Sequence, residues 1–397
     1  MEREKLSSLK PYIVENRKVF FITHGFPPVP AGSSVINGNL LSCFDPDSFL
    51  VLTCRMNLNQ SVEAREQINK KYIFRFIRYP YRLNKLFYSL QIFTGTLKTI
   101  ILAFIHKPVC IVAVYPDFAF LKIARKAARY LKIPLIPYFH DTLVETMSSK
   151  SKIKKASLLQ NQVFTEAKKI FVMSEGIKEL YKHKYHLETT SLEHTYIENI
   201  PDSLDDTTLK LNQAFWGGDV YGINKSVVKR LSEGIKNVNM DLFIAINKPL
   251  TYLHKIGIDG SHLKTGYFSK RLEYLEYLKQ NKILFLGIDW ADESETHFDE
   301  LSTIFPTKTP EYLASGGIVV AHCPENYFLA KFIKKHHCGV VISDRNPAVI
   351  LETLLHINNH PHLYITQREN ALKAAKIFDS NRISALFKEE INKTVKS

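Results

Sequence analysis

Lys308 and Glu311 stand three residues apart where a predicted helix begins, and this spacing could serve a phosphate and a ribose together. They lie in the stretch Phe305 to Ala321, which reads Phe-Pro-Thr-Lys-Thr-Pro-Glu-Tyr-Leu-Ala-Ser-Gly-Gly-Ile-Val-Val-Ala. Thr309 is the predicted N-cap and Pro310 the predicted first helical residue. The unpaired N–H groups of a helix start attract phosphate, Lys308 adds a positive charge, and Glu311 could accept hydrogen bonds from two ribose hydroxyls. The alternative is an ordinary capped helix that carries an exposed glutamate.

The residues after this helix indicate an α/β fold. Gly316 and Gly317 are expected to end the helix, because glycine adopts the left-handed conformation of a helix C-terminus at low cost. The apolar run from Ile318 to Ala321 then predicts a buried strand, since strands of a parallel sheet are covered on both faces. A helix that passes directly into a buried strand is typical of doubly wound sheets.

A histidine and an aspartate follow another predicted strand. The segment from Pro134 to Glu145 reads Pro-Leu-Ile-Pro-Tyr-Phe-His-Asp-Thr-Leu-Val-Glu, so His140 and Asp141 come just after an apolar run. Ligands of open α/β sheets bind at the carboxyl ends of strands, and His140 there could hydrogen-bond a sugar hydroxyl or a reacting oxygen. Asp141 could orient the imidazole or help to receive an acceptor. The alternative is a histidine whose hydrogen bonds are satisfied at a domain edge.

Two loops rich in small residues also follow predicted strands. The first runs from His24 to Ser34, and its glycine, proline and serine residues would let the backbone approach a phosphate or a sugar closely. The second reads Trp-Gly-Gly-Asp-Val-Tyr-Gly-Ile-Asn-Lys from Trp216 to Lys225, where Gly217 and Gly218 permit close approach and Lys225 could reach a diphosphate. This second loop matches neither the dinucleotide-binding fingerprint nor the nucleotide-triphosphate loop.

Strands and helices alternate in both halves of the chain. The predicted strands of the first half are 18–23, 49–53, 72–77, 109–114, 135–139 and 169–173, and a helix is predicted at 35–41. Those of the second half are 214–216, 241–245, 263–266, 283–286, 318–321 and 340–342, with helices at 226–236 and 367–396. The turn-rich stretch 199–212 predicts a linker. We therefore predict an α/β protein with two Rossmann-like, doubly wound domains facing a cleft, at 1–200 and 201–375, and a helix at 376–397 that packs back on the first domain.

The composition is that of a soluble globular protein. The chain has 397 residues, 45% of them hydrophobic and 23% charged, which is too long for one compact core. Its five cysteines are scattered without CxxC spacing, so we expect reduced thiols and a cytoplasmic protein. The spacings Asp45–Asp47, His356–His360–His362 and His336–Cys338 could be read as metal ligands, but solvated turns and helix ends also explain them, and we expect no bound metal.

The charge indicates an anionic partner. A net charge of +14 suits nucleic acid, an acidic membrane face or a phosphate-bearing substrate. Lysine clusters at 122–132, 150–155 and 178–184 lie in the first half, as a membrane-apposed face would require, whereas a scattered solvated surface is the alternative. No motif interleaves basic with aromatic residues, so we expect no nucleic acid partner. The apolar segment 86–105 contains Gln91 and Lys98, and we predict a helix covering a sheet instead of a membrane span.

Four segments together resemble glycosyltransferases of the two-Rossmann-domain (GT-B) type, in particular the family-4-like bacterial enzymes that build surface polysaccharides. The segments are Phe20 to Ser34, Tyr-Phe-His-Asp at 138–141, Val-Met-Ser-Glu-Gly-Ile at 172–177 and Phe-Pro-Thr-Lys-Thr-Pro-Glu-Tyr-Leu-Ala-Ser-Gly at 305–316. The resemblance implies transfer of a sugar from a nucleoside diphosphate sugar to an acceptor hydroxyl, usually with retention and without an obligatory metal or cofactor. It also implies an acceptor-binding first domain and a donor-binding second domain. The acceptor would be a glycan or a polyprenyl-linked glycan, met at the inner face of the cell membrane.

The resemblance also implies roles for individual residues. Glu311 would bind the donor ribose, and Lys308 with the helix start would lie against the diphosphate. His140 would lie near the transferred sugar, and Gly32 and Ser33 would belong to a flexible loop that closes over the donor. The candidate catalytic residues are thus His140, Asp141 and Glu311, and the candidate donor-binding residues are Gly32, Ser33, Gly217, Gly218, Lys225, Lys308, Thr309 and Glu311.

Two positions depart from the family pattern and keep other functions open. Thr303 stands where the family often has a second glutamate, and Gly218 with Asp219 stands where an arginine usually follows the first strand of the second domain. Lys225 matches the companion lysine. The alternatives are a non-catalytic partner of another transferase and a nucleotide-sugar 2-epimerase of the same architecture.

Overall fold

Two compact units make up the chain. The computed structural model describes residues 10–27, 32–54, 73–76, 85–205 and 209–396. The first unit comprises Met1–Val144, Ser149–Ile197 and Ser380–Ser397, and the second comprises Glu145–Ser148 and Glu198–Asp379. Each unit contains one sheet in which all described strand pairs are parallel, so the predicted fold class of two doubly wound α/β domains is confirmed.

The helices and strands have the following bounds. The first unit contains β1 (Val19–Ile22), α1 (Gly32–Ser42), β2 (Phe49–Cys54), β3 (Ile73–Phe76), α2 (Lys85–His106), β4 (Cys110–Tyr115), α3 (Phe118–Leu131), β5 (Leu135–Phe139), α4 (Lys150–Glu166), β6 (Phe171–Val172), α5 (Glu175–Tyr185) and β7 (Thr190–Ser191). The second contains β8 (Leu211–Gly217), α6 (Lys225–Asn237), β9 (Asp241–Ala245), α7 (Leu250–Lys255), β10 (Leu263–Gly266), α8 (Arg271–Lys279), β11 (Asn281–Gly287), α9 (Phe298–Leu301), α10 (Thr309–Ser315), β12 (Ile318–His322), α11 (Phe328–His336), β13 (Val340–Ile342), α12 (Pro347–Asn359) and α13 (Ile365–Ala375). The last helix, α14 (Ser380–Lys396), belongs to the first unit.

Strand order reverses once in each sheet. The first sheet runs β3-β2-β1-β4-β5-β6-β7 and the second β10-β9-β8-β11-β12-β13. The chain therefore changes direction between β1 and β4 in one sheet and between β8 and β11 in the other. Crossover connections leave a crevice at the carboxyl ends of such strands, where open α/β sheets bind ligands. The residues after β8 and β11 lie at this position.

Apolar runs predicted most strands closely because both faces of each sheet are covered. Every residue of β1 and of β5 is buried, as expected of a parallel strand under two helix layers. The predicted bounds of β5, β9, β10 and β13 match those of the structure, whereas the two-residue strand β7 was not predicted. Of the predicted strand 72–77, positions 72 and 77 lie outside the described residues.

The predicted helix 367–396 is in fact two helices. α13 ends at Ala375, a short 3₁₀ turn follows, and α14 begins at Ser380. α14 packs on the first sheet, where the Phe387 ring lies 5.8 Å from Phe21 and 5.7 Å from Phe171 between ring centroids. The chain end thus completes the core of the unit in which the chain begins.

α2 confirms the predicted helix over 86–105, but only one side of it is buried. Among the described residues it is the one helix whose length and composition would suit a membrane span, and about a third of its apolar window is buried. A row of large apolar side chains on its outer side remains exposed.

Candidate functional site

The turn after β8 has a backbone conformation that favours glycine. Gly217 ends β8, and its N–H donates to the hydroxyl of Tyr312 at 2.7 Å. A methyl group on Gly217 would lie 3.1 Å from that hydroxyl oxygen. Gly218 has a φ of +95° and open space around the position of a Cβ atom. Gly218 therefore satisfies a left-handed turn, and the missing side chain leaves room at the crevice of the second sheet.

Lys308 is held against this glycine turn. Its ammonium donates to the carbonyl oxygen of Gly217 and lies 3.8 Å from the ring centroid of Trp216. Burial lowers the pKa of Lys308 to about 7, and the nearby Glu311 carboxylate opposes that shift. The amine of Lys308 is thus desolvated and titrates near neutral pH, so a bound anion would favour its charged form.

The Glu311 carboxylate lies in the first turn of α10 and already has two hydrogen-bond donors. Tyr274 donates its hydroxyl to one carboxylate oxygen at 2.8 Å, and the Arg271 guanidinium donates to the other. Arg271 also lies 3.6 Å from a carboxylate oxygen of Glu198. Burial and the Glu311 charge hold the pKa of Tyr274 well above its ordinary value, so its hydroxyl remains a donor. A carboxylate has about four acceptor positions, and two of those of Glu311 remain for a ligand.

The predicted N-cap of α10 is wrong by one residue. Lys308 occupies the N-cap position and Thr309 is the first helical residue. The Thr309 hydroxyl donates back to the carbonyl oxygen of Pro306 at 2.7 Å, and the whole residue is buried. Thr309 therefore fixes the turn before α10 and is not available to a donor. Gly316 ends the helix with a φ of +82°, as predicted.

The start of α6 is capped from within the second unit. Asp289, which follows β11, accepts hydrogen bonds from the N–H groups of Ser226 at 3.1 Å and Val227 at 2.8 Å. Lys225 is the first residue of α6 and its side chain is exposed. The carboxylate of Asp289 thus occupies the place that an anion would take at this helix start, and only Lys225 itself remains for a diphosphate.

In the first unit, α1 stabilises the turn after β1. The Asn37 side-chain amide donates to the Thr23 hydroxyl and to the Gly25 carbonyl, each at 3.1 Å. Gly32 and Ser33 form the first turn of α1, and residues 28–31 of the preceding loop lie outside the described residues. The sequence did not single out Asn37, since an asparagine inside a helix carries no specific signal.

His140 lies at the carboxyl end of β5 and is almost fully buried. Its ring packs edge-on against Tyr138 at 4.4 Å, and neither ring nitrogen has a hydrogen-bond partner in the described part of the chain. Burial, with a smaller effect of His194, lowers the pKa of His140 to about 3, so the imidazole is neutral. Since buried polar atoms are nearly always hydrogen-bonded, unpaired ring nitrogens indicate a ligand or solvent site.

Asp141 follows His140 and is partly buried. Burial raises the pKa of the Asp141 carboxyl to about 6. No described contact joins this carboxyl to the His140 ring, whose nitrogens are both unpaired. The structure therefore does not place Asp141 as the orienting partner of the imidazole.

The structure describes both positions that depart from the family pattern. Thr303 is buried, and its hydroxyl donates to the Glu300 carbonyl at 2.9 Å, so it stabilises the turn after α9. No arginine lies in the turn 218–224 between β8 and α6, and the guanidinium that reaches Glu311 is that of Arg271 in α8. Sequence reasoning missed Arg271 and Tyr274 because 40 and 37 residues separate them from Glu311.

The spacings that suggested metal ligands do not form a metal site. Asp45 accepts a hydrogen bond from the N–H of Asp47 at 2.7 Å, which is a local turn. His356 hydrogen-bonds the Tyr364 hydroxyl at 2.7 Å. Across the described ranges, no group of three His, Cys, Asp or Glu side chains could hold a metal ion.

Solved structures of similar fold include glycosyltransferases and sugar-nucleotide enzymes. HepE of Anabaena in complex with UDP and glucose is 13% identical, with 96% of this chain and 100% of that chain covered at a TM-score of 0.69. Sucrose-phosphate synthase from Thermosynechococcus elongatus is 12% identical over 95% and 98% of the two chains at a TM-score of 0.67. An 11% identical UDP-N-acetylglucosamine 2-epimerase from Listeria monocytogenes, described as putative, covers 92% and 95% at a TM-score of 0.55.

Sequence comparison adds nothing to these similarities. No protein-family model matches the chain, and no curated protein sequence matches it significantly. Identities of 11–13% show a shared fold and leave the activity open. With its two parallel α/β units, the chain has the GT-B fold of glycosyltransferases.

Proposed function

We propose that this protein is a glycosyltransferase that moves a sugar from a nucleoside diphosphate sugar to an acceptor hydroxyl. The observation that carries the proposal is the grouping of Lys308, Glu311 and the Gly217–Gly218 turn at the switch point of the second sheet. A cation, a carboxylate with free acceptor positions and an open glycine turn are the groups that a diphosphate and a ribose require. The GT-B fold supports this assignment, because a similar structure holds UDP and glucose.

In the proposed donor complex, Glu311 binds the ribose. Its oxygens accept from Tyr274 and Arg271, which fix the carboxylate in place, and each oxygen keeps one acceptor position for a ribose hydroxyl. Arg271 and Tyr274 thereby act as positioning residues. Since the carboxylate is held before the donor arrives, the donor loses less entropy on binding.

Lys308 stabilises the departing diphosphate. When the bond between the anomeric carbon and the diphosphate oxygen breaks, that oxygen keeps the electron pair and negative charge grows on the leaving group, while positive charge grows on the sugar ring. A preorganised ammonium costs little reorganisation as this charge develops. Lys225 at the exposed start of α6 adds a second cation.

We assign His140 to the transferred sugar or the acceptor hydroxyl. A neutral imidazole can accept one hydrogen bond and donate another, and the unpaired nitrogens of His140 have both capacities. Asp141, with a pKa raised to about 6, is the candidate proton acceptor beside it. Gly32 and Ser33 lie at the start of α1, and their assignment to the donor comes from the family resemblance.

The finer features of the proposal come from the family resemblance and from charge. They are retention of the anomeric configuration, no obligatory metal, a glycan or polyprenyl-linked glycan acceptor, a role in capsular, lipopolysaccharide or exopolysaccharide synthesis, and a location at the cytoplasmic face of the cell membrane. The net charge of +14 supports an anionic surface as neighbour.

A nucleotide-sugar 2-epimerase is the second candidate, because an epimerase described as putative has a similar structure. Both candidates predict binding of a nucleoside diphosphate, so the product separates them. An epimerase converts the sugar while the nucleotide remains attached, whereas a transferase releases the nucleoside diphosphate.

The test is a titration of the purified full-length protein with UDP, GDP, ADP, CMP and dTDP and with their sugars, followed by thermal unfolding and calorimetry. We expect one nucleoside diphosphate to raise the melting temperature, since a ligand of the folded state stabilises by mass action. Release of that diphosphate from its sugar in the presence of a glycan acceptor supports transfer. Binding of none of these ligands would overturn the proposal, and binding without release would favour the epimerase or a non-catalytic partner.

A further inference from the structure

An apolar row runs along the outer surface of α2. The exposed fractions of its five members are 50% for Leu90, 65% for Phe93, 48% for Leu97, 50% for Ile101 and 65% for Phe104. Spacings of three and four residues place these side chains on one face of the helix. We call this face the α2 row.

The α2 row is large for a soluble surface. With about 200 Å² for each large apolar side chain, the five residues expose about 550 Å². The largest apolar patch of a soluble monomer covers about 300–600 Å² and is often functional. The α2 row lies near the upper end of this range and is therefore a candidate interaction surface.

The inner side of α2 is mixed, because the apolar residues Ile92 and Leu102 are buried there beside polar ones. Gln91 is 2% exposed and Thr99 is fully buried, and Lys122 of α3 lies over the Tyr88 ring at 5.7 Å from its centroid. Large apolar side chains also lie on the outer side of α2, so its apolar residues are not confined to the side that packs on the protein. α3 packs along the inner side and holds α2 against the first unit.

Three threonine hydroxyls of α2 are hydrogen-bonded within the helix. The hydroxyls of Thr94, Thr96 and Thr99 donate to carbonyl oxygens one turn earlier, at 2.9, 2.6 and 2.8 Å. Thr94 does so on the exposed side, so its hydroxyl stays hydrogen-bonded in an apolar medium. This property suits contact with acyl chains.

Charge identifies the partner. Between residues 85 and 165 the chain has twelve Lys and Arg and only three Asp and Glu, and neither α2 nor α3 contains an acidic residue. Asp117, one of the three, is buried and caps the first turn of α3. Lys126 and Arg129 are exposed on α3 beside α2. An apolar face beside the exposed cations of α3 matches an anionic lipid surface, since acyl chains cover the apolar side chains and headgroups pair with the cations.

We propose that the α2 row inserts into the interface of an anionic lipid bilayer, with α2 lying in the membrane plane. This inference adds a membrane surface to the proposed glycosyltransferase function, and in that respect it rests on that function. A transferase held at the membrane by its first unit would meet lipid-linked acceptors at that surface. α2 is about 33 Å long at 1.5 Å per residue, so the whole row can be immersed at one depth.

The test is cosedimentation of the full-length protein with vesicles of phosphatidylcholine alone or with 30% phosphatidylglycerol. We expect binding to the anionic vesicles, reduced by 0.5 M NaCl. The double variant Phe93→Ser/Phe104→Ser should lower the partition coefficient at least tenfold, because each ring loses its apolar transfer. Its matched control is Phe298→Ser/Leu363→Gln, which removes two exposed apolar side chains from the second unit and should bind like the wild type.

The charge component is tested with Lys126→Glu/Arg129→Glu. This variant should lose most of the preference for phosphatidylglycerol, whereas the control Lys331→Glu/Lys335→Glu on α11 should keep it. Unchanged vesicle binding by the Phe93/Phe104 variant, or no binding of the wild type to anionic vesicles, overturns the inference. A third outcome also overturns it: the wild type is a dimer that does not bind vesicles, and the Phe93/Phe104 variant is a monomer. In that case a second copy of the chain covers the α2 row.

Nucleotide binding separates this inference from the proposed function. The Phe93/Phe104 variant should bind UDP like the wild type, and Glu311→Ala should bind vesicles like the wild type. If the protein binds vesicles but no nucleoside diphosphate, the transferase proposal is overturned and the inference about the α2 row still holds.

Discussion

The most direct test of the donor site is removal of the Glu311 carboxylate. In the structure this carboxylate accepts from Arg271 and Tyr274 and retains two acceptor positions. A hydrogen bond to a charged group contributes about 1.5–3 kcal/mol, and two such bonds share one acceptor group, so we expect Glu311→Ala to lose about 2–4 kcal/mol of nucleoside diphosphate binding. The dissociation constant should rise about 30- to 1000-fold.

Two further variants separate binding from folding. Glu311→Ala also leaves the Arg271 guanidinium with Glu198 alone, at 3.6 Å, and should destabilise the second unit by about 1–3 kcal/mol. Glu311→Gln keeps one carbonyl oxygen for Arg271 and should bind more tightly than Glu311→Ala. Glu276→Ala on α8 is the matched control, because that glutamate is exposed and its removal should change stability by about 0.5 kcal/mol or less.

Isothermal titration calorimetry with UDP, or with the nucleoside diphosphate found in the screen, measures these values well below the melting temperature of each variant. A folded Glu311→Ala protein whose dissociation constant stays within about threefold of the wild type would refute the assignment of Glu311 to the ribose.

Three other predictions concern separate residues. The pKa of Lys308 is about 7 in the free protein, so at pH 8 its amine is mostly neutral. Because a bound diphosphate favours the charged form, diphosphate binding at pH 8 should take up nearly one proton in the wild type but not in Lys308→Met. Calorimetry in buffers of different ionisation enthalpy measures this proton uptake. Gly218→Ala should lower the free energy of unfolding by about 1 kcal/mol or more because φ is +95°, while Gly222→Ala, also in open space but without a positive φ, should change it little in urea denaturation. His140→Gln should lower kcat about tenfold or more while donor affinity stays nearly unchanged. Because the pKa of His140 is about 3, its imidazole stays neutral above pH 5. A change of wild-type kcat with an apparent pKa near 6.5 that His140→Gln abolishes would contradict this neutral role.

The sequence predicted the sheets better than the site. Parallel strands buried on both faces appear as apolar runs, so β5 and β9 could be bounded from residue types alone. The two-residue strand β7 has no such run, because it consists of Thr190 and Ser191, which pair in parallel with β6. Strand pairing of this kind depends on residues distant in sequence.

The site illustrates the same limit. Lys308 and Glu311 could be found because a helix start has a local pattern. Their partners could not, since Tyr274 and Trp216 reach them only after the sheet and its helices assemble. The predicted cap at Thr309 failed for a related reason, because its hydroxyl bonds the preceding Pro306 carbonyl instead of an N–H group of the helix.

The return of α14 to the first unit affects how the protein folds during synthesis. Ile383, Phe387 and Ile391 are fully buried in a core that also contains Phe21 and Phe171. A nascent chain that has just produced the first unit lacks these three side chains, so that core stays incomplete until almost 200 further residues have been translated. At about 5–20 residues per second, the wait lasts about 10–40 s. The second unit can fold as its residues emerge from the ribosome, whereas the first unit completes its core only after α14 has been synthesised.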